Sequence, residues 1–230
     1  MNEGLDTGGM ASAPRDLPPR TTIHIKPTAY RRVHGAHLRG SFAKTVLCGP
    51  RHRKYLFKPD GDNTIEMMDG HTAIAFAALA ALAGVDTPTI RRVKFRGEKG
   101  TLQEWRNAPA GDEFAPAATF PQDVSTDPRF VQSFRRLDVL DAIANTDDRN
   151  VNNFLVDRND HHVIAVDNDL TFDLSPPMFH TQLDADQQAL VSDLHDRSHF
   201  ASVMRRYLLP SELQAATARL DALYADISPA

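Results

Sequence analysis

Apolar and polar positions alternate in two different periods along this chain, short and strand-like before residue 106, longer and helix-like after residue 127. Thr22-Ile23-His24-Ile25, Lys44-Thr45-Val46-Leu47 and Lys54-Tyr55-Leu56-Phe57-Lys58 read as strands, the last stopped by Pro59-Asp60-Gly61. An alanine-rich run from His71 to Ala83 has high helix propensity and ends at Gly84, a residue suited to the position just past a helix. Strands around Thr89–Phe95 and Thr101–Trp105 follow, with Gly97-Glu98-Lys99-Gly100 as their turn. The first half is therefore strands around one helix.

From Asn107 to Asp127 the chain shifts to Pro, Ala, Gly and Asp, the composition of a connector. Asp127-Pro128 then opens a helix, with Asp as its cap and Pro at its first position. Phe130, Phe134, Leu137, Asp141 and Ala144 recur along it at helical spacing. The helix delivers the chain into Asn145-Thr146-Asp147-Asp148. Asn153–Val156 and His162–Val166 are apolar strands joined by Asp157-Arg158-Asn159-Asp160-His161, which makes them a hairpin with its two ends side by side. Beyond Ser175-Pro176-Pro177 the tail reads as two helices, Asp184–Tyr207 and Ser211–Ile227.

Composition narrows the class. With 230 residues the chain buries a real core, and its single cysteine, Cys48, excludes an internal disulfide and points to a reducing, cytoplasmic setting. Cys48 itself reads as a small core residue. Residues 1–20 contain Gly, Pro, Ser and Asp but no apolar core of a signal sequence, and read as a disordered lead. The longest apolar run, Thr72 to Gly84, is shorter than the roughly 20 residues a bilayer requires. Net charge of −4 argues against nucleic acid as a partner, yet Arg20 to Lys58 holds ten Lys or Arg and no acid. That segment attracts polyanions such as nucleotide phosphates or an anionic membrane surface.

Candidate chemistry gathers in the second half. Asp148, Asn153 five residues later and Asp167 one hairpin downstream fall in the order that phosphoryl transfer uses: a group receiving the acceptor proton, then two metal ligands. Magnesium takes hard oxygen ligands, often one or two from the protein and the rest from phosphates, and Asn153 with Asp167 supply that minimum. Each residue alone is explained as a cap or turn residue; the sequence helix, acidic turn, amide, hairpin and acid is harder to explain that way. Asp147 is an adjacent rival of Asp148, and Asp169 is either a second metal contact or a turn residue. Lys58 at its strand end is the candidate phosphate cation, with Glu66 as its candidate acidic partner. Gly40-Ser41, between two early strands, is a candidate phosphate-facing turn. His195 and His199 have zinc-like spacing without the intervening Glu of a metalloprotease helix, and His161-His162 fall at a hairpin tip, so both pairs read as surface.

Four segments resemble the atypical kinases that include the phosphatidylinositol 3-/4-kinase-like, HipA-like and actin-fragmin kinases. They are Tyr55-Leu56-Phe57-Lys58-Pro59, Gly84-Val85-Asp86-Thr87-Pro88-Thr89, Thr101-Leu102-Gln103-Glu104-Trp105, and the pair Asp141–Asn153 with Ala165–Phe172. The resemblance implies a two-lobed α+β kinase-like fold, a single domain over residues 21–230, its sheet-rich lobe to about 105 and its helical lobe from about 106. It implies ATP and Mg2+, with Lys58 on the phosphates, Asp148 as catalytic acid or base, Asn153 and Asp167 on metal, and the backbone of Gln103, Glu104 and Trp105 holding adenine. A helix Glu is expected near Ala73, where this chain has alanine. The acceptor it implies is a protein Ser/Thr hydroxyl, slightly ahead of a phosphoinositide; a non-catalytic nucleotide-binding module and a nucleotidyl transferase are the alternatives.

Overall fold

A computed structural model describes residues 17–19, 21–33, 44–60, 70–106, 122–146, 148–175 and 182–228. Six strands, β1 (Ile23–His24), β2 (Arg31–Arg32), β3 (Thr45–Cys48), β4 (Lys54–Pro59), β5 (Ile90–Phe95) and β6 (Glu98–Glu104), form one sheet in the order β1-β5-β6-β4-β3-β2. The expected strand at Ile23 does not pair with the one at Thr45. β1 runs parallel to β5 at one edge, and β2 takes the place beside β3 at the other. The chain crosses the sheet between them.

Register assigns the two faces of the sheet. Thr45 pairs with Phe57, Phe57 with Leu102 and Leu102 with Arg91, so Leu47, Phe57, Leu102, Val93 and Phe95 share one face, where Ile25 and Tyr30 pack over them. Lys58, Thr101 and Ile90 fall on the opposite face, because side chains alternate along a strand. The β5–β6 turn is tighter than the sequence reading: only Arg96 and Gly97, both at positive φ, connect the strands, and Glu98 to Gly100 belong to β6. Gly100 faces Pro59, where a Cβ would lie 2.2 Å from the Lys58 carbonyl oxygen. A side chain there would push β4 away at Lys58.

Helix α1 (His71–Ala83) lies against the Lys58 face and ends as expected at Gly84, in the left-handed region with its N–H donating to the Ala80 carbonyl. Residues Thr72 to Ala80 are all buried. A helix apolar all round belongs inside a protein, and its alanines let the sheet and the helical half approach from both sides. The second half contains α2 (Gln122–Ser125), α3 (Pro128–Ala144), the hairpin β7 (Phe154–Val156) and β8 (Val163–Ala165), α4 (Ala185–Leu194), α5 (Arg197–Met204) and α6 (Pro210–Ile227). Asp127 caps α3 by accepting from the Arg129 N–H, with Pro128 in the first turn. One core cluster takes in Phe76 and Leu79 of α1, Leu137 and Leu140 of α3, Phe154, Phe172, Leu190, Phe200 and Leu220.

The first tail helix is two helices, not one. It breaks after Leu194, where the Asp196 carbonyl accepts from the His199 and Phe200 N–H groups to start α5. Cys48 is half-buried at the end of β3, one strand in from the sheet edge, not in the core. Of the lead, Leu17 packs against the main core and Pro18 accepts a hydrogen bond from the Tyr207 hydroxyl at 2.7 Å; residues 1–16 and 20 lie outside the described residues. No helix among the described residues is long and apolar enough to cross a membrane.

Candidate active site

The site lies where β4 meets the end of the β7–β8 hairpin. The hairpin ladder pairs Phe154 with Ala165, and the Val166 N–H donates to the Asn153 carbonyl at 3.2 Å. Asn153 and Asp167 therefore sit at adjacent strand ends, as the sequence reading requires. Lys58 spans the two halves of the molecule: its Nζ is 2.5 Å from Asp167 Oδ1 and 2.5 Å from Asp169 Oδ2. Lys44 adds a second ammonium 3.1 Å from Asp167 Oδ2.

Burial disfavours the ammonium of Lys58, but the carboxylates of Asp169 and Asp167 outweigh it, so its pKa is raised and its charge is retained. Burial also works against the Asp167 carboxylate, and Lys58 followed by Lys44 overcome that to hold it well below the usual carboxylate range. Asp169 is more deeply buried and is pushed upward, with the Asp167 charge adding to the push and Lys58 opposing it. Two acids that share one lysine are thus moved in opposite directions, Asp167 downward by the two ammonium groups and Asp169 upward by its burial.

Asp148 is exposed, and both its oxygens are oriented by amides: Oδ1 accepts from Asn150 Nδ2 at 2.8 Å and Oδ2 from Asn153 Nδ2 at 3.0 Å. Because the Asn153 nitrogen is turned to Asp148, its amide oxygen is the end directed elsewhere. The residues that could hold a cation are then Asn153, through its amide oxygen, and Asp167 and Asp169, whose carboxylates meet Lys58 and Lys44 in this structure. Such an all-oxygen set fits a hard divalent ion such as Mg2+.

Sequence reasoning missed the residue that holds this loop together. The buried guanidinium of Arg149 meets Asp141 through two bonds of 2.9 Å, donates to the Asn153 carbonyl at 2.5 Å and the Val166 carbonyl at 3.1 Å, and reaches Asn168 Oδ1 at 2.7 Å. It also stands 5.4 Å from the centre of the Phe76 ring. One side chain therefore joins α3, both hairpin ends, the turn after β8 and α1. Thr72 adds a tie from α1, donating to the Asp169 carbonyl at 2.8 Å. Asp169, read from the sequence as a metal contact or turn residue, is a direct partner of Lys58. Glu66, Asp147, Gly40 and Ser41 lie outside the described residues.

Gln103 and Glu104 end β6, and Trp105 follows, exposed. The Glu104 N–H donates to the Thr89 carbonyl and the Trp105 N–H to the Lys54 carbonyl. Those two amides are spent inside the sheet. An adenine edge at this strand end would be met by carbonyl groups of the strand or by the backbone beyond Trp105.

A second polar cluster joins the halves on the far side of this strand end. Asp86 accepts from His162 Nε2 at 2.9 Å and from Arg106 Nη2 at 3.0 Å, while its carbonyl accepts from the Ala165 N–H at 2.9 Å. His162 also meets Asp160 through Nδ1. The hairpin-tip histidines are therefore not surface residues in the simple sense: His162 is half-buried between two acids, and His161 bonds Asp127 at 2.9 Å. The hydrogen bond to Asp86 raises the His162 pKa, burial opposes it, and Asp160 adds to the rise. A raised histidine pKa stabilises the fold below the unfolded value of about 6.5, and that contribution is lost as pH rises through the folded value. The expected result is that the stability gap between the wild type and His162→Gln is widest below about pH 6.5 and narrows as the pH rises above it. Urea unfolding of both proteins across that range measures it. Comparing the pair removes the effect of Asp138, which burial and the Asp141 charge push up to about 6 in both. A constant gap at all pH values would overturn the assignment.

No family model and no curated protein sequence matches the chain. Solved structures do. The Helicobacter pylori proinflammatory kinase CtkA superposes with a TM-score of 0.60 at 8% identity, covering 90% of this chain and 95% of that one. Weaker likenesses are the Golgi casein kinase with Mn/ADP bound, at TM-score 0.45 and 12% identity over 92% of this chain and 73% of that one, and HipA of Shewanella oneidensis in complex with HipB and operator DNA. The latter has a TM-score of 0.40 and 12% identity over 76% of this chain and 57% of its own. At such identities the likeness concerns the fold alone. The chain has a two-lobed, protein-kinase-like α+β fold, with the lysine of its sheet brought onto the acids that follow its hairpin.

Proposed function

We propose that this protein is an ATP-dependent phosphotransferase that moves the γ-phosphoryl group to an acceptor hydroxyl. The observation that carries the reading is the contact of Lys58 with Asp167, two residues 109 apart in sequence whose types and positions suit opposite sides of a nucleotide site. Within that reading, Lys58 and Lys44 supply positive charge to phosphates, where a loose transition state needs it. Asp148, oriented through both oxygens and open to solvent, receives the proton of the acceptor hydroxyl as the new P–O bond forms and the bond to the ADP oxygen breaks. Asn153 and Asp167, with Asp169 beside them, would hold Mg2+, which supplies charge neutralisation and alignment of the phosphates. The carbonyl edge around Gln103, Glu104 and Trp105 is the proposed adenine contact, and Gly40-Ser41 the proposed phosphate-facing turn.

The acceptor we favour is a protein Ser/Thr hydroxyl, with a phosphoinositide next. The order Asp148, Asn153, Asp167 and the Val166-Asp167-Asn168-Asp169 turn support placement near the phosphatidylinositol 3-/4-kinase-like and HipA-like kinases. The absence of an acid at Ala73 sets this chain apart from the usual lysine partnership, and here Asp169 takes that role. The test is incubation with Mg2+ and ATP labelled at the γ or the α position, offering a mixed protein substrate or phosphoinositide vesicles. Transfer of γ-label alone is the expected result. Transfer of α-label would replace the reading by nucleotidyl transfer, and nucleotide binding with no transfer would replace it by a non-catalytic module.

A further inference from the structure

On the sheet face turned away from Lys58, the chain crossing from β1 to β2 leaves a pocket of about 610 Å3 lined by Pro27, Thr28, Tyr30, Arg31, Arg32 and Arg96. All three arginines are exposed, and among the described residues none has a carboxylate within ion-pair distance. Glu98, across the strand pair from Phe95, is the nearest acid in register and forms no ion pair with Arg96 among the described residues. Arg91 lies on the same face and acts electrostatically on Tyr30. Uncompensated positive charge thus converges on one concavity of a chain whose net charge is −4.

Arg96 carries a further mark. It holds φ of 51° in a two-residue turn, a position where Asn or Gly costs less, and its guanidinium stands 5.3 Å from the centre of the Phe95 ring. That placement fixes the direction of the guanidinium at the pocket wall. Guanidinium groups match phosphate oxygens through paired hydrogen bonds, and three arginines lining one concavity suit a multiply charged anion better than a monoanion. The volume lies in the range of small-molecule sites, and Pro27 and Tyr30 give it an apolar wall. A nucleic acid would need an extended basic stripe, not one local concavity.

We propose that this pocket is a second anion site, distinct from the cleft, that binds a compact ligand carrying two or more phosphates. The same headgroup chemistry occurs free in solution or at the end of a lipid. The test titrates the full chain with inorganic tripolyphosphate, in chelator and at low and physiological salt, by calorimetry. The Arg31→Gln/Arg32→Gln/Arg96→Gln variant is expected to weaken binding by at least about tenfold, since charge-assisted hydrogen bonds are lost. Arg205→Gln, which removes an exposed charge belonging to neither the cleft nor the pocket, is expected to leave it unchanged, and circular dichroism checks that both variants keep the wild-type fold. Vesicles of phosphatidylcholine doped with a bisphosphorylated inositol lipid separate the sources. Retention lost in the triple variant identifies a lipid-borne ligand; tripolyphosphate binding without vesicle retention identifies a soluble one. Binding that survives the triple substitution, or that Arg205→Gln weakens as much, would overturn the second site.

Discussion

Arg149→Ala is expected to be the most destabilising single substitution at the site, by about 3–5 kcal/mol, the usual cost of breaking a buried ion pair from one side. The reason is what remains. The Asp141 side chain is 3% exposed, and without the guanidinium its carboxylate keeps its burial and loses both charge-assisted bonds. The carbonyls of Asn153 and Val166 and the amide oxygen of Asn168 lose a donor as well. In a chain of this size such a loss lowers the thermal midpoint by about 10 °C or more. Arg149→Lys is expected to recover only part of it, because an ammonium cannot reproduce the fork that meets Asp141 through two nitrogens. Removing both charges in Arg149→Met/Asp141→Leu should restore much of the stability, since paired replacement by apolar groups is often neutral. Phosphotransfer should remain impaired in that double variant, because the carbonyls that position Asn153 and Asp167 are no longer held. Thermal and urea unfolding of the three proteins measure this, and a double variant no more stable than Arg149→Ala would remove the buried-pair explanation.

That residue also shows how far the sequence can be read. Asp141 stands on the apolar stripe of α3 with Phe130, Phe134, Leu137 and Ala144, and an acid on an apolar stripe requires a buried cation. Arg149 is the next Arg or Lys after it, so the pairing has a signal in the sequence. The order of Asp148, Asn153 and Asp167 was legible because its logic is local: a hairpin brings its own ends together whatever the rest of the molecule does. The partner of Lys58 was not. Asp169 is 111 residues away, and only packing of α1 between the sheet and α3 decides which acid the lysine meets. The same limit explains β1, whose two residues favour a strand but whose pairing with β5 depends on where the crossing chain packs.

The broken tail helix and the half-buried His162 have a related cause. Periodicity runs through residues 184–207 with no Gly or Pro to stop it, and the break comes from the Asp196 carbonyl starting a new turn. His195, at the break, stacks on Tyr224 of α6 with ring centres 3.7 Å apart. Neither contact has a one-dimensional signature. His162 at a hairpin tip looks exposed until Asp86, which lies within the α1-to-β5 passage, arrives from the other half of the molecule.

Asp167→Asn is expected to reduce γ-phosphoryl transfer by about 10³-fold, the upper range for losing one preorganised electrostatic group, while leaving the fold in place. Asn is the right probe because Asp167 has φ of 57°, in the left-handed region that Asn tolerates and most other residues do not. The substitution keeps the side-chain shape and removes the charge. Lys58 retains Asp169, so the sheet stays joined to the turn after β8, but Lys44 loses its carboxylate. A lowered carboxylate pKa contributes stability above the unfolded value of about 3.9 and loses it as pH falls through the folded value. The wild type should therefore be the more stable protein at neutral pH, with the difference closing below about pH 4. If Asp167 also holds the cation, ADP affinity should fall in the variant when Mg2+ is present and change little in chelator. A variant that transfers phosphate at the wild-type rate would remove Asp167 from the chemistry. One that loses Mg2+-dependent affinity without the pH-dependent stability difference would show that its charge serves the ligand alone, and that Lys58 is positioned by Asp169.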